Sequence, residues 1–251
     1  MLRDTTALTG RLLKQVVRSP DTLITVVLTP IAILLLFRYV LGGAIRTGTA
    51  NYTNYLLPGI LLITVGSSVA YTALRMYSDS STGITARLRT MPISRSAVLW
   101  SHVLTSLISN AVTAAVIVGV GLLMGLRPHA DLGGWLAVAG VLGLFTLALT
   151  WLAVIPGLTA RSMEGATAFS YPLVFLPFLS SAFVPTDSMP GPVRWFAENQ
   201  PVTSVVETLR ALVDGRPVGS DIAIALAWTV GIGAVAYAVA VRAYRHMQTV
   251  R

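Results

Sequence analysis

The sequence predicts an all-α membrane protein with six transmembrane helices, and three observations support that fold class. Of its 251 residues, 54% are hydrophobic and 11% are charged, and the mean hydropathy is +0.73. Soluble domains carry roughly a quarter charged residues. Six segments reach the about 20 mostly apolar residues that a helix needs to cross a bilayer. Basic residues cluster on alternate connecting segments, as is typical of a chain that crosses the membrane several times. The whole chain, residues 1–251, is therefore predicted to be one multi-pass transmembrane domain.

The six predicted spans are separated by short polar segments. They run over Thr22–Leu41, Tyr55–Met76, Val98–Leu126, Trp135–Ala160, Ala166–Val184 and Ile222–Val241. The fifth span contains Pro172 and Pro177, and each proline removes a backbone donor from the helix. We therefore expect the fifth span to be kinked.

The distribution of lysine and arginine predicts the orientation of the chain. Twelve of the 18 lysines and arginines fall on the side that holds the N-terminus, and cytoplasmic loops carry such an excess. Both termini are therefore predicted to be cytoplasmic, in a cytoplasmic (inner or plasma) membrane. The basic residues lack the interleaved aromatic residues of a single-strand binder, so we expect the lipid bilayer and not nucleic acid as their partner.

Residues 1–20 are predicted to form an amphipathic helix that lies flat on the inner leaflet. Its apolar stripe recurs at helical spacing and its basic residues form a separate face. The stripe consists of Leu8, Leu12, Leu13, Val16 and Val17, and the basic face consists of Arg11, Lys14 and Arg18. Ser19, Pro20 and Asp21 predict a break before the first span.

The longest external segment, residues 185–220, is predicted to contain two amphipathic helices. The second helix has apolar residues at i, i+3, i+4 and i+7 from Val202, and the two helices meet at Gln200 and Pro201. Its start is ambiguous, because Pro201 suits a first turn whereas Ser204 and Glu207 have capping-box spacing. The pair either dips into the outer leaflet and caps a space between subunits, or packs on the outer ends of the spans.

Several kinds of chemistry are missing from the sequence. There is no G-x-x-x-x-G-K-[ST] phosphate loop, no cysteine, and no acid inside the predicted spans. The three histidines, His102, His129 and His246, are scattered and are more typical of interfacial polar residues than of metal ligands. An enzyme, a metal site, a bound cofactor and a proton- or sodium-coupled carrier are therefore not expected.

Hydroxyl side chains follow the helical repeat in the second and third spans. Helix packing is the favoured interpretation, because small hydroxyl residues let helices approach closely. A weakly polar substrate path is the alternative for the second-span face, which consists of Thr64, Ser68, Tyr71 and Thr72. The third-span row is Ser101, Thr105, Ser109 and Thr113, with Ser106 and Asn110 alongside.

The cytoplasmic loop of residues 77–97 is the most polar segment between two spans. Burying its three arginines at the bilayer centre would cost on the order of 9 kcal/mol, so the loop stays outside the hydrocarbon. Ile84, Leu88 and Met91 predict a short amphipathic helix that ends before Pro92. Such a helix fits a groove on a soluble partner, or it rests on anionic lipid.

Two motifs carry a resemblance to a known family. The pattern Asp79-x3-Gly83-x3-Arg87-x-Arg89-x2-Pro92 resembles the cytoplasmic motif of ABC type-2 exporter permeases of the daunorubicin-resistance (DrrB-like) branch, and the stretch Met189–Leu212 is similar to the segment before their last span. With the six spans, the resemblance covers essentially the whole chain.

The resemblance implies the membrane subunit of an ATP-binding cassette exporter that moves a lipophilic or amphiphilic compound outward. It implies a second permease subunit, identical or related, and two separate ATPase subunits that bind ATP and Mg. It also implies that Asp79, Gly83, Arg87, Arg89 and Pro92 form a coupling helix at the ATPase contact. A drug or antibiotic is the leading cargo, a lipid, glycolipid or polysaccharide is the alternative, and a non-transporting membrane scaffold is the alternative of another class.

The short second cytoplasmic loop places Arg161 near Glu164. The two residues either form a second contact with the ATPase or a local ion pair that orders the loop. Exposed pairs contribute only about 0–1 kcal/mol to stability, and the local pair is the favoured interpretation.

Overall fold

The computed structural model describes residues 2–42, 51–84 and 95–249, and the regular structure in these ranges is entirely helical. The helices are α1 (Leu2–Val17), α2 (Pro20–Leu35), α3 (Tyr52–Ser81), α4 (Arg95–Leu123), α5 (Leu132–Thr159), α6 (Met163–Ala168), α7 (Ser170–Phe175), α8 (Gly191–Asn199), α9 (Pro201–Val213) and α10 (Asp221–Thr249). A π-helical turn, Leu36–Leu41, continues α2, and short 3-10 turns cover Leu176–Leu179 and Thr186–Ser188.

Five helical stretches in the described part of the chain are long and apolar enough to cross a membrane. They are Ile24–Leu41, Tyr52–Ser81, Ser96–Leu123, Leu132–Thr159 and Asp221–Tyr244. These stretches coincide with five of the six predicted spans. The chain is therefore a multi-pass, all-helical membrane protein.

The fifth predicted span, Ala166–Val184, is not one long helix. Helix α6 ends at Ala168, α7 begins at Ser170, and the 3-10 turn starts at Leu176. Pro172 and Pro177 predict a kink in a continuous span, and the structure goes further, because α7 ends at Phe175 and a 3-10 turn follows it. By hydropathy this segment is one continuous apolar stretch. The prolines interrupt its backbone hydrogen bonds and divide it into separate short helices.

Helix α3 is the centre of the bundle. It packs against α2, α4, α5, α7 and α9, and most of its residues are buried. At Gly157 of α5 an added Cβ would lie 2.8 Å from the Cβ of Met76 and 2.9 Å from the carbonyl oxygen of Ala73. Only glycine therefore allows α5 to approach α3 this closely.

Two apolar clusters mark the two ends of the bundle. The larger cluster includes Leu57, Ile60, Phe183 and Leu209 and extends to the end that we call the Arg210 end. The smaller cluster includes Met76, Leu99, Trp151, Leu158 and Tyr244 and lies at the opposite end, which we call the Asp79 end. According to the predicted orientation, the Asp79 end faces the cytoplasm.

Helix α1 forms as predicted, and the break at Ser19 and Pro20 is confirmed. Its packed face overlaps the predicted stripe only in part, because Leu8, Leu13 and Val16 are half-buried and two threonines are buried. The residues that α1 buries are Thr5, Thr9 and Leu12. Leu12 belongs to the predicted stripe, but Val17 is 70% exposed. The helix packs chiefly on α4, where small threonines allow a close approach that an apolar count does not predict.

Helices α8 and α9 occupy the predicted external segment and meet at Gln200. The proline start is correct and the capping box is wrong, because α9 begins at Pro201 and Ser204 lies inside the helix. The apolar face of α9 joins the larger core cluster, and α9 packs on α3, α5 and α10. For α9 this arrangement matches the alternative in which the segment packs on the ends of the spans, whereas α8 contacts α9 and the two 3-10 turns and leaves Trp195 68% exposed.

Candidate functional site

The candidate coupling loop leaves α3 through a defined turn. Helix α3 ends at Ser81, and the carbonyl of Ser78 accepts hydrogen bonds from the backbone N–H of Thr82 at 3.0 Å and from its hydroxyl at 2.7 Å. Gly83 then adopts a φ of +76°, a left-handed conformation that favours glycine. The contact with the ATPase that is predicted for Gly83 stays a prediction. Arg87, Arg89 and Pro92, and the helix predicted there, lie outside the described residues.

Asp79 is buried where three helices meet. Its side chain is 7% exposed, and its Oδ2 accepts a hydrogen bond from Arg11 Nη2 of α1 at 2.5 Å. The same oxygen lies 3.4 Å from Nε2 of His102 on α4. His102, which the sequence predicts to be interfacial, is instead 1% exposed inside the protein. Asp79 therefore contacts other parts of its own chain.

A second cation, Arg75, lies one turn before Asp79 on α3. Its Nη2 donates to the hydroxyl of Thr72 at 3.2 Å, and its Nε is buried without a hydrogen-bond partner. Thr72 itself donates to the carbonyl of Ser68 at 3.4 Å. A polar column thus runs along α3 from the Asp79 end into the bundle.

The second-span face is mostly internal. Thr64, Ser68 and Thr72 are 1%, 4% and 0% exposed, and only Tyr71 of the four predicted residues is half-buried. Ser68 Oγ accepts a hydrogen bond from Asn110 Nδ2 of α4 at 2.8 Å. Packing between helices is therefore the observed role of these buried hydroxyls within the chain.

The third-span row also packs between helices. Asn110 Nδ2 donates to the carbonyl of Ser106 at 3.0 Å, and Ser106 Oγ lies 3.1 Å from Thr150 Oγ1 of α5. These contacts link α3, α4 and α5 through one buried polar cluster. Asn110 Oδ1 and Ser109 Oγ are buried without hydrogen-bond partners.

The loop between α5 and α6 does not contain the predicted ion pair. Among the ion pairs of the described residues, none joins Arg161 to Glu164. The carbonyl of Arg161 instead accepts a hydrogen bond from Tyr77 at 3.3 Å, and Ser162 caps α6. Hydrogen bonds from its own backbone and from Ser162 lower the pKa of Glu164. The favoured interpretation of a local pair is therefore wrong.

Arg210 forms a polar site that sequence reasoning missed. Its side chain is 5% exposed, and its Nη1 donates to Glu207 Oε1 at 2.6 Å. Its Nη2 donates to the carbonyls of Ser181 at 2.8 Å and Tyr55 at 3.3 Å. The guanidinium carbon also lies 3.7 Å from the centre of the Tyr55 ring, a cation–π arrangement.

The Arg210 cluster joins three separate parts of the chain. Ser181 Oγ donates to Glu207 at 2.6 Å, and the Tyr55 hydroxyl donates to the Ser181 carbonyl at 2.8 Å. Helix α9, the start of α3 and the turn after the 3-10 segment are thereby held together. The spacing of Glu207 and Arg210 at i, i+3 was visible in the sequence, whereas the distant contacts were not.

Comparison with known proteins gives one family and several relatives. A family model described as ABC-2 type transporter matches residues 3–213. The Daunorubicin resistance ABC transporter permease protein DrrB1 of Streptomyces coeruleorubidus is 32% identical over 234 residues, which are 90% of this chain and 81% of that protein. The Probable doxorubicin resistance ABC transporter permease protein DrrC of Mycobacterium tuberculosis is 28% identical over 247 residues, which are 96% of this chain and 88% of that protein.

Proposed function

The chain belongs to the ABC-2 type transporter family, and from this we propose that it is the membrane subunit of an ATP-binding cassette exporter. The observation that carries the proposal is the family match over residues 3–213, which includes four of the five candidate spans and the whole coupling loop. The sequence has no phosphate loop of its own. ATP and Mg are therefore bound by a separate ATPase subunit, and this chain supplies the path through the membrane.

The proposed cargo is a lipophilic or amphiphilic drug or antibiotic. Two relatives that align with at least 90% of this chain are named as daunorubicin and doxorubicin resistance permeases. Export of a lipid or glycolipid is the competing assignment, and it would give a different result in the transport assay described below.

The proposed topology has six spans. Helices α6 and α7 and the 3-10 turn after them form the fifth of these spans in three pieces, with α8 and α9 on the outer side. Helix α1 lies on the cytoplasmic leaflet, and both termini are cytoplasmic. A second permease subunit, identical or related, completes the path.

The proposed ATPase contact is the loop between α3 and α4. Arg87, Arg89 and Pro92 would present a cationic helix to the ATPase, and Gly83 would set the angle at which the loop leaves α3. Arg161 and Glu164 lie in the next loop at the same end, and Glu164 is exposed. They are proposed as a second contact.

The proposed substrate path involves the second-span face only in part. Tyr71 is half-buried and is accessible without rearrangement. Thr64, Ser68 and Thr72 are packed inside the chain, so they would reach a substrate only when α3 moves relative to α4.

Co-purification tests the ATPase contact. The double variant Arg87→Glu with Arg89→Glu should insert into the membrane normally. The amount of ATPase that co-purifies with it should fall at least tenfold, because the charge of two cations is reversed at the contact. The matched control is Arg127→Glu with Arg194→Glu, which reverses two exposed arginines at the Arg210 end. A normal amount of ATPase bound to the Arg87→Glu and Arg89→Glu double variant would refute the proposal that these arginines contact the ATPase.

A further inference from the structure

The carboxylate of Asp79 connects three helices that are distant in sequence. Arg11 of α1 is 68 residues away, and its Nη2 lies 2.5 Å from Asp79 Oδ2. His102 of α4 lies 3.4 Å from the same oxygen. Because α3 and α4 flank the coupling loop, one oxygen atom links both ends of that loop to the N-terminal helix.

Helix α1 packs chiefly on α4. Of the three residues that it buries, two are threonines, and Leu12 is the only large apolar side chain among them. The other side of the helix carries exposed Arg3, Lys14 and Arg18. The ion pair with the buried carboxylate of Asp79 adds a contact between α1 and α3 to this packing, and removing one partner of a buried charge is costly.

The loop begins and ends close to this ion pair. Asp79 lies four residues before Gly83, where the chain turns at a φ of +76°. His102 lies in the second turn of α4, which begins at Arg95. A displacement of the loop by a partner would be transmitted to Asp79 and from there to Arg11.

Asp79 itself is poorly placed for direct contact with a soluble protein. Its side chain is 7% exposed, and its Oδ2 is already occupied by Arg11. An ATPase subunit that contacted the loop from the cytoplasm would meet the loop residues first. The effect of Asp79 on the ATPase is then indirect.

We propose that Asp79 is a positioning residue that fastens α1 to both ends of the coupling loop, so that the loop and the N-terminal helix move as one body. This inference rests on the proposed function, because it assumes that the loop receives the motion of the ATPase. Its role differs from that of Arg87 and Arg89. Those arginines capture the ATPase, and Asp79 converts capture into movement of the permease.

A labelling experiment on the purified permease tests the attachment. The natural chain has no cysteine, so Thr9→Cys introduces a single thiol at a buried position of α1 that is 6% exposed. Adding Arg11→Gln should raise the rate of maleimide labelling at least tenfold, because α1 separates from α4. The matched control Lys14→Gln removes the same charge from the same helix and should leave the rate within twofold. An unchanged rate with Arg11→Gln would overturn the proposal.

Measurements on the complex with the ATPase test the coupling. The variants Arg11→Gln and Asp79→Asn should bind the normal amount of ATPase, but their rate of substrate transport should fall at least tenfold. Arg11→Lys keeps the positive charge and should retain most of the transport rate. Loss of ATPase capture in Asp79→Asn would make Asp79 a direct contact and overturn the proposal. Failure of the proposed function would appear elsewhere, as the absence of ATP-dependent transport by the natural chain with its ATPase, while the labelling result would still stand.

Discussion

Replacing Arg210 with methionine should destabilise the protein far more than replacing any exposed arginine. Methionine keeps much of the apolar length of arginine but removes the charge. The change takes away hydrogen bonds of 2.6 Å to Glu207 and 2.8 Å to the Ser181 carbonyl. It also removes the contact of the guanidinium with the Tyr55 ring. Glu207 is left at the same site without its cationic partner.

The expected loss follows from the burial of the two partners. Removing one member of a buried ion pair costs roughly 3–5 kcal/mol, and the Arg210 side chain is 5% exposed. Glu207 is 35% exposed and regains some hydration, so we expect the lower end, about 3 kcal/mol. On the scale of about 2–4 °C per kcal/mol for a chain of this size, the melting temperature should fall by roughly 6–12 °C.

Thermal unfolding in detergent measures this loss, with Arg216→Met as the matched control. Arg216 is 58% exposed and pairs with Asp214 at 3.0 Å, so its removal should cost about 0–1 kcal/mol. The double variant Arg210→Met with Glu207→Leu should recover at least half of the loss, because no unpaired charge remains. Melting temperatures of Arg210→Met and Arg216→Met that agree within about 2 °C would refute this reasoning.

Three further predictions concern packing and backbone conformation, and each is measured by thermal unfolding. Gly157→Ala should lower the free energy of unfolding by roughly 1–3 kcal/mol, because its Cβ would lie 2.8 Å from an α3 side chain. The control Gly143→Ala meets nothing within 4 Å and should be neutral or stabilising. Equal changes in melting temperature for the two variants would contradict the close approach of α5 to α3. A double-mutant cycle of Asn110→Ala and Ser68→Ala should give a coupling free energy of about 0.6 kcal/mol, and of about 1.7 kcal/mol at most, for the hydrogen bond between these side chains. Losses of stability that simply add in the double variant would argue against that hydrogen bond. Gly83→Ala should lower the free energy of unfolding by roughly 1–2 kcal/mol, because alanine is strained at a positive φ. Gly83→Asn should lower it less, because asparagine adopts this conformation more readily. Equal losses of stability would count against the left-handed turn.

The membrane helices and their boundaries were accessible from the sequence because they depend on local periodicity. Helix α9 shows this most clearly. Its apolar residues recur every three or four positions, Pro201 begins it, and the structure buries that face in the larger core cluster. Length and hydropathy predict six spans, and five of them coincide with long apolar helices, although α3 extends to Ser81, five residues beyond the predicted end.

The polar sites at the two ends of the bundle were not accessible in the same way. Nothing local distinguishes Arg210 from the other arginines of the chain, since the residues that receive its hydrogen bonds lie up to 155 positions away. Asp79 was predicted at a partner surface, because nothing local indicated that Arg11 would reach it from α1. Contacts between distant segments depend on helix packing, which no short-range pattern encodes.

The buried face of α1 illustrates a further limit. The sequence predicts an apolar stripe from Leu8 to Val17, yet two of the three residues that α1 buries are Thr5 and Thr9. In a membrane protein the lipid is as apolar as leucine, so apolar residues are not forced inward and small residues favour close packing. Hydrophobic periodicity therefore predicts the existence of such a helix better than it predicts the face that packs.

The most direct measurement of the central claim is transport in vesicles that contain the purified permease and its ATPase. The account predicts that a fluorescent lipophilic drug moves in the export direction only when ATP, Mg, the permease and the ATPase are all present, and that the movement is lost in the Arg87→Glu and Arg89→Glu double variant. Drug movement that is independent of ATP, or that persists without the ATPase, would contradict the claim.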